Sequence, residues 1–250
     1  MPYAGRQPLD AREAHQRIRH LLPGAMALAG TAGFVNSAML GFFQSPVSHM
    51  TGAVSHLGIY LADGKLRDAW ASLSIILGFL IGAMGAGILV GAWKLIPNRA
   101  YGIALMVEGA LLGIATALLS MQHRLALPAV AMACGLQNAT ASSYCGLLIR
   151  TTHVTGVVTD IGVMLGHWIR HRQLEWWKLR FLLAVFLSFG TGGWLGALSD
   201  SRFGPMCILA PAVGCTIAGG VFWFITHHGL LQIMQDAAPK PPRTGSFPFA

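Results

Sequence analysis

Read for the alternation of apolar and polar positions, the chain divides into eight hydrophobic stretches separated by short polar turns. They run at about Leu21–Phe43, Thr51–Ala62, Ala69–Trp93, Ala100–Met121, Leu125–Leu148, Val154–Ile169, Trp177–Leu198 and Pro205–Phe224. Six are long enough to cross a hydrocarbon core of about 30 Å as helices rising about 1.5 Å per residue. The second and sixth are short, and each follows a polar break: Gln44 to His49 before one, Arg150 to His153 before the other. The pattern predicts an all-α integral membrane bundle of about eight segments, six long and two short and broken.

The order of landmarks repeats. Gly33-Phe34-Val35-Asn36 answers Gly135-Leu136-Gln137-Asn138 at an offset of 102, and Thr51-Gly52 answers Thr155-Gly156 at 104. Trp70 and Phe79-Leu80 answer Trp177 and Phe186-Leu187 at 107, and Arg99 and Glu108 answer Arg202 and Pro211 at 103. An order kept through four segments reads as an internal duplication, four segments per repeat. The repeats cover residues 21–122 and 123–226, after a basic lead-in over 1–20 and before a Pro-rich tail over 227–250.

Composition agrees. Hydrophobic residues make up 54% of the chain and charged residues 10%, against about a quarter charged in a soluble domain; a single soluble core would have too few charges to coat it. The net charge of +8 does not point to nucleic acid, because the bases sit at segment ends rather than in a run interleaved with aromatics. Cys134, Cys145, Cys207 and Cys215 lie in apolar stretches with no CxxC spacing, so they read as small apolar residues. The lead-in lacks a cleavage pattern and reads as retained. Glycines in the third and seventh segments form small-xxx-small faces for close helix contact and for assembly into homo-oligomers.

Charge does not decide the topology. Eight crossings starting inside leave only Lys94, Arg99, Arg150 and Arg202 outside, against thirteen bases inside. Six crossings, with the short segments re-entrant, exchange Lys94, Arg99 and Arg150 for Lys65, Arg67 and Arg124 and give the same score. The short stretches carry no turn signal of their own. That favours eight crossings with parallel repeats, the two short helices starting below the surface.

The candidate chemistry lies at the breaks. A helix beginning inside a membrane leaves its first N–H groups without partners. Ser48 or Thr51, and Thr152 or Thr155, are expected to cap them, while Gly52 and Gly156 allow close approach. Two such starts suit an anionic or carbonyl-bearing solute. His49 and His153 stand at matched positions, as do His56 and Asp160, and Asn36 and Asn138, with Gln137 beside the last. Polar groups at this depth are costly unless they share a cavity or a network. Glu108 sits mid-segment and is expected to be neutral or paired, with His49, His56 or His153 as partner and proton coupling as its use. No HxxxH, HExxH or GxSxG is present, so neither a metal site nor a nucleophilic enzyme is expected, and no cofactor is implied.

Gly33-x-x-Asn36, Ser48-His49-Met50-Thr51-Gly52, and Cys134-Gly135-Leu136-Gln137-Asn138 followed by Thr151-Thr152-His153-Val154-Thr155-Gly156 resemble the YoaK-type family of bacterial multi-pass inner-membrane proteins, over about residues 22–226. The resemblance implies residence in the plasma membrane and no established substrate. This chain has Asn36 and Ala53 where that family more often has Asp and Asn, which weakens any role for position 36 in carrying protons or cations.

The expected function is a secondary permease for a small metabolite in the lipid bilayer. The solute is held between the repeats by Asn36, Ser48, His49, Thr51, Gly52, Gln137, Asn138, Thr152, His153, Thr155 and Gly156, and Glu108, Asp160 and His56 couple protons. A membrane enzyme using His153 and Asp160, and a non-catalytic scaffold, are the alternatives.

Overall fold

The computed structural model describes residues 11–90, 99–145 and 153–227. The described residues form eight α-helices: α1 (Ala11–Phe43), α2 (Met50–Ala62), α3 (Leu66–Val90), α4 (Arg99–Ser120), α5 (Ala126–Cys145), α6 (Val154–His171), α7 (Trp176–Phe203) and α8 (Leu209–His227), with a 3-10 turn, Gly204–Ile208, joining the last two. Four stretches are long and apolar enough to span a membrane: Leu22–Phe43, Leu66–Val90, Arg99–Ser120 and the continuous run Trp176–His227. Ile88, Trp194, Ile217 and Leu80 stand more than half exposed on the outside, a surface that lipid covers and water does not. The chain is a helical membrane protein.

The described part of the lead-in is not a separate element, for α1 runs from Ala11 through Phe43 without a break. Gln44, with φ of 50°, then turns the chain. Asp63 and Gly64 end α2, and Asp63 Oδ2 lies 2.8 Å from Lys65 Nζ in the exposed turn to α3. That hydrogen bond and its charge hold the Lys65 ammonium above its ordinary pKa.

Close glycine contacts give the direction of each packed pair. Gly30 lies against Ser188 and Gly192, Gly33 against Phe189 and Gly193, Phe34 against Gly196, and Gly41 against Asp200, so α1 and α7 run parallel. Gly78 meets Pro128, and Gly82 meets Met132 and Leu136, so α3 and α5 run parallel. Gly102 meets Gly219 and Trp223, while Gly109 meets Ala212 and Thr216, so α4 and α8 run antiparallel. Leu28 near the start of the α1 span meets Gln137 late in α5, whereas Val35 to Met39 share a core cluster with Leu127 to Ala131. α1 and α5 are therefore antiparallel.

Eight successive crossings with parallel repeats would set α1 along α5 and α4 along α8. Both pairs run the other way, and that expectation is corrected. α3 follows α5, and α5 opposes α1, so α3 opposes α1 and the 13-residue α2 returns the chain to the end from which it came. By the same logic α7 follows α1 and opposes α5, and α6 returns the chain at the other end. A short helix with no internal turn can do this because the turn lies in the polar break before it.

The expected glycine faces exist, but Gly78, Gly82, Gly192 and Gly196 are occupied within the chain. The core they allow is centred on Met39, Ile75, Leu112, Val130 and Ile208, all essentially without exposure.

Candidate functional site

The break after α1 folds back into the bundle. Pro46, Val47 and Ser48 are buried, and Ser48 Oγ donates to Asn36 Oδ1 at 2.8 Å. Asn36 lies eight residues before Gln44 on α1, so Ser48 sits about 12 Å below the end of that helix at 1.5 Å per residue. α2 thus starts at depth, as its sequence implies. Its first turn is not capped as expected. His49 is the N-cap and makes no side-chain cap bond; Ser48 has gone to Asn36, and Thr51 is exposed.

α6 repeats the local pattern. His153 is its N-cap, again without a side-chain bond. The first helical bonds match, Ala53 N–H to His49 O at 3.4 Å and Val157 N–H to His153 O at 3.1 Å. One turn on, Ser55 and Thr159 hydroxyls donate back to the Thr51 and Thr155 carbonyls, each at 2.9 Å. Gly52 makes room for the Pro46 ring, and Gly156 for the imidazole of His153 folded over the first turn of α6. Thr152 lies outside the described residues.

Asn36 and Asn138 do not meet. Gln137 is bonded to the Leu28 carbonyl, so its neighbour Asn138 lies near the level of Leu28 on α1, about one residue before it with α1 and α5 antiparallel, and not at the level of Asn36. About nine residues of helix, or about 13 Å, separate the two levels. Gln137, between them, donates from Nε2 to the Leu28 carbonyl at 3.2 Å and ties α5 to α1. Among the described residues the break before α2 folds into the bundle, while the residues just before His153 lie outside the described part of the chain.

Glu108 is 3% exposed, and its described partner is a thiol: Cys215 Sγ donates to Oε1 at 3.5 Å from α8. The imidazole partners expected for it are elsewhere. His56 meets the edge of Tyr60 on its own helix, with centroids 5.6 Å apart, and His153 is exposed at the start of α6. Asp160 lies on the exposed face of α6. Cys215 was missed because a cysteine in an apolar run reads as a small hydrophobe, and only the facing carboxyl gives it a role. The Thr140 hydroxyl, which the sequence does not single out, and His56 Nδ1 are buried without a hydrogen-bond partner among the described residues.

Behind Glu108, between α4 and α8, an outward-facing groove of about 260 Å³ is lined by Gly109, Gly113, Ala212, Val213 and Thr216, with Leu209 and Ile217 at its edge. Among the described residues no three His, Cys, Asp or Glu side chains gather as metal ligands would.

No curated protein and no solved structure matches the chain. Residues 24–221 match a family described as "Protein of unknown function (DUF1275)". The match covers most of the chain and all eight helices in whole or in part, and the chain belongs to that family of uncharacterised proteins.

Proposed function

We propose that this chain is an inverted-repeat permease of the bacterial plasma membrane, with six crossings and two re-entrant breaks, that carries a small polar metabolite. The observation that carries the reading is the pairing of helices. Element one of each repeat packs along element three of the other, α1 with α7 and α5 with α3, and the two fourth elements, α4 and α8, cross-pack antiparallel. A pseudo-two-fold axis in the membrane plane produces this set of partners. Duplicated halves of opposite orientation with broken helices at depth are the recurring plan of secondary transporters.

In this reading the uncapped starts of α2 and α6 approach the solute path from opposite faces, and Asn36, Ser48, His49 and Thr51 line one approach while Asn138, Thr152, His153 and Thr155 line the other. Glu108 carries the proton. A scaffold is the second reading, favoured by the bond between Ser48 and Asn36, which satisfies both groups without a solute. An enzyme using His153 and Asp160 is the weaker alternative, because the imidazole is folded onto Gly156.

Single cysteines at Gly64, His123 and Gln173 test the architecture. Six crossings with an inner N-terminus place 64 and 123 outside and 173 inside, so a membrane-impermeant maleimide on intact cells labels the first two and spares the third. No labelling at any of the three restores eight crossings. The transport role is tested by uptake of a panel of amino acids, small carboxylates and amides into vesicles holding the purified protein. Asn36→Leu and Thr155→Val are each expected to lower the flux of the transported solute at least tenfold while leaving the protein folded. Uptake unchanged in both variants removes the breaks from the path.

A further inference from the structure

We infer that the corner between α6 and α7 is a binding surface for the headgroups of anionic phospholipids, a property the first repeat does not share. α6 is strongly amphipathic. On its 3.6-residue wheel Val154, Val157, Val158, Ile161, Met164, Leu165, Trp168 and Ile169 cover one side, and Thr155, Thr159, Asp160, His167, Arg170 and His171 the other, where Val163 is the one large apolar residue. Its packing against the bundle buries one residue, Val157. Val158 at 50% and Ile169 at 68% are left exposed on the apolar side. The C-terminal end of such a helix, with an apolar face toward the chains and a polar face toward water, suits the boundary between headgroups and chains. Its counterpart α2 carries no charged residue.

The charge follows the same division. Arg170 and Arg172 close α6, Glu175 stands at the start of α7, and Lys178 and Arg180 follow in its first turns, four bases against one acid for a net charge of +3. Arg170, Arg172 and Arg180 are exposed and Lys178 is half-buried, and none of the four is in an ion pair among the described residues. Arg172 holds a left-handed conformation, φ of 57°, where glycine is the least strained choice. Trp168 and Trp176, 39% and 58% exposed, flank the cluster, as indoles do at headgroup level. The corresponding turn after α2 has Asp63, Lys65, Arg67 and Asp68, with no net charge. Four cations with no ion-pair partner among the described residues, two of them between the indoles and two just beyond Trp176, match lipid phosphates with an extra negative charge, and their attraction reaches a Debye length into the headgroup layer. Only the assignment of this corner to the inner leaflet rests on the proposed topology; the lipid preference does not depend on transport or on sidedness.

The test uses the full-length protein in phosphatidylcholine vesicles carrying a trace of spin-labelled phosphatidylglycerol or spin-labelled phosphatidylcholine, and reads the motionally restricted fraction. The wild type is expected to favour the anionic lipid by about three- to fivefold at low salt. Changing Arg170, Arg172, Lys178 and Arg180 together to Gln brings the ratio close to one, and Lys65→Gln with Arg67→Gln leaves it as in the wild type. If the fourfold variant does not fold, the pairs R170Q/R172Q and K178Q/R180Q are each expected to lose about half the preference. A variant that keeps the full preference, or a control that loses as much, overturns the inference.

Discussion

Replacing Gly82 by leucine is expected to abolish the folded protein. At this position α3 touches the backbone of α5. A Cβ would overlap the Met132 carbonyl oxygen and lie 2.8 Å from its carbon and 2.9 Å from Leu136 N. The obstacle is main chain on a helix that is itself packed against α4, so neither side can yield by a rotamer change. Overpacking a closed core costs about 1–3 kcal/mol when side chains can adjust, and more here because two helices must separate along their length. Gly192 on α7 occupies the equivalent place against the Gly30 carbonyl of α1, so G192L is expected to fail alike. Gly87, one turn and a half further along α3, has nothing within 4 Å, and G87L is expected to purify as the wild type does. The measurement is the monodisperse yield in mild detergent and its thermal unfolding midpoint. A well-folded G82L protein would show that the α3–α5 contact is not the one that holds the bundle together.

That contrast shows what the sequence could and could not reveal. The helices were legible, because apolar runs of the right length end in Gln44, Asp63 to Asp68 and Gln122 to Arg124, and the structure breaks at those places. Start positions agree to within a few residues: Thr51 against Met50 for α2, and Val154 for α6. The glycine faces were legible as contact faces but not in their partners, since a glycine advertises closeness and says nothing of what comes close. Helix direction was hidden for a definite reason. Exchanging three bases for three others leaves the inside-outside balance unchanged, so the strongest sequence signal for topology is silent in this chain. The depth of Ser48 could be guessed from its break, but its bond to Asn36 required the loop to fold back. Hydroxyls before a helix suggest caps by local rules alone; a buried asparagine twelve residues earlier competed for Ser48 and won. The difference between α2 and α6 is legible in the sequence, since Asp160 and Arg170 of α6 have no charged counterpart in α2.

The largest functional effect is expected at Glu108. It is the buried carboxyl of α4, surrounded by apolar side chains and facing Cys215 across the α4–α8 contact. An ionised carboxylate there, with a thiol in place of a cation, carries a desolvation penalty of several kcal/mol, whereas the neutral acid is hydrogen-bonded and close in shape to glutamine. Glu108→Gln is therefore expected to fold, to keep Gly109 seated against Ala212 and Thr216, and to remove the one group on α4 able to take up and release a proton. On the proposed permease reading, the dependence of solute flux on a proton gradient is expected to be lost in vesicles, while flux down a solute gradient persists. Glu108→Lys should not fold, because an ammonium at this depth has no acidic partner among the described residues and cannot reach the interface from mid-helix. Cys215→Ala serves as the control for position: it removes the thiol hydrogen bond, leaves the carboxyl, and is expected to retain coupling with a modest loss of stability of about 1 kcal/mol. A Glu108→Gln protein whose flux still follows the proton gradient would make Glu108 a tie between α4 and α8.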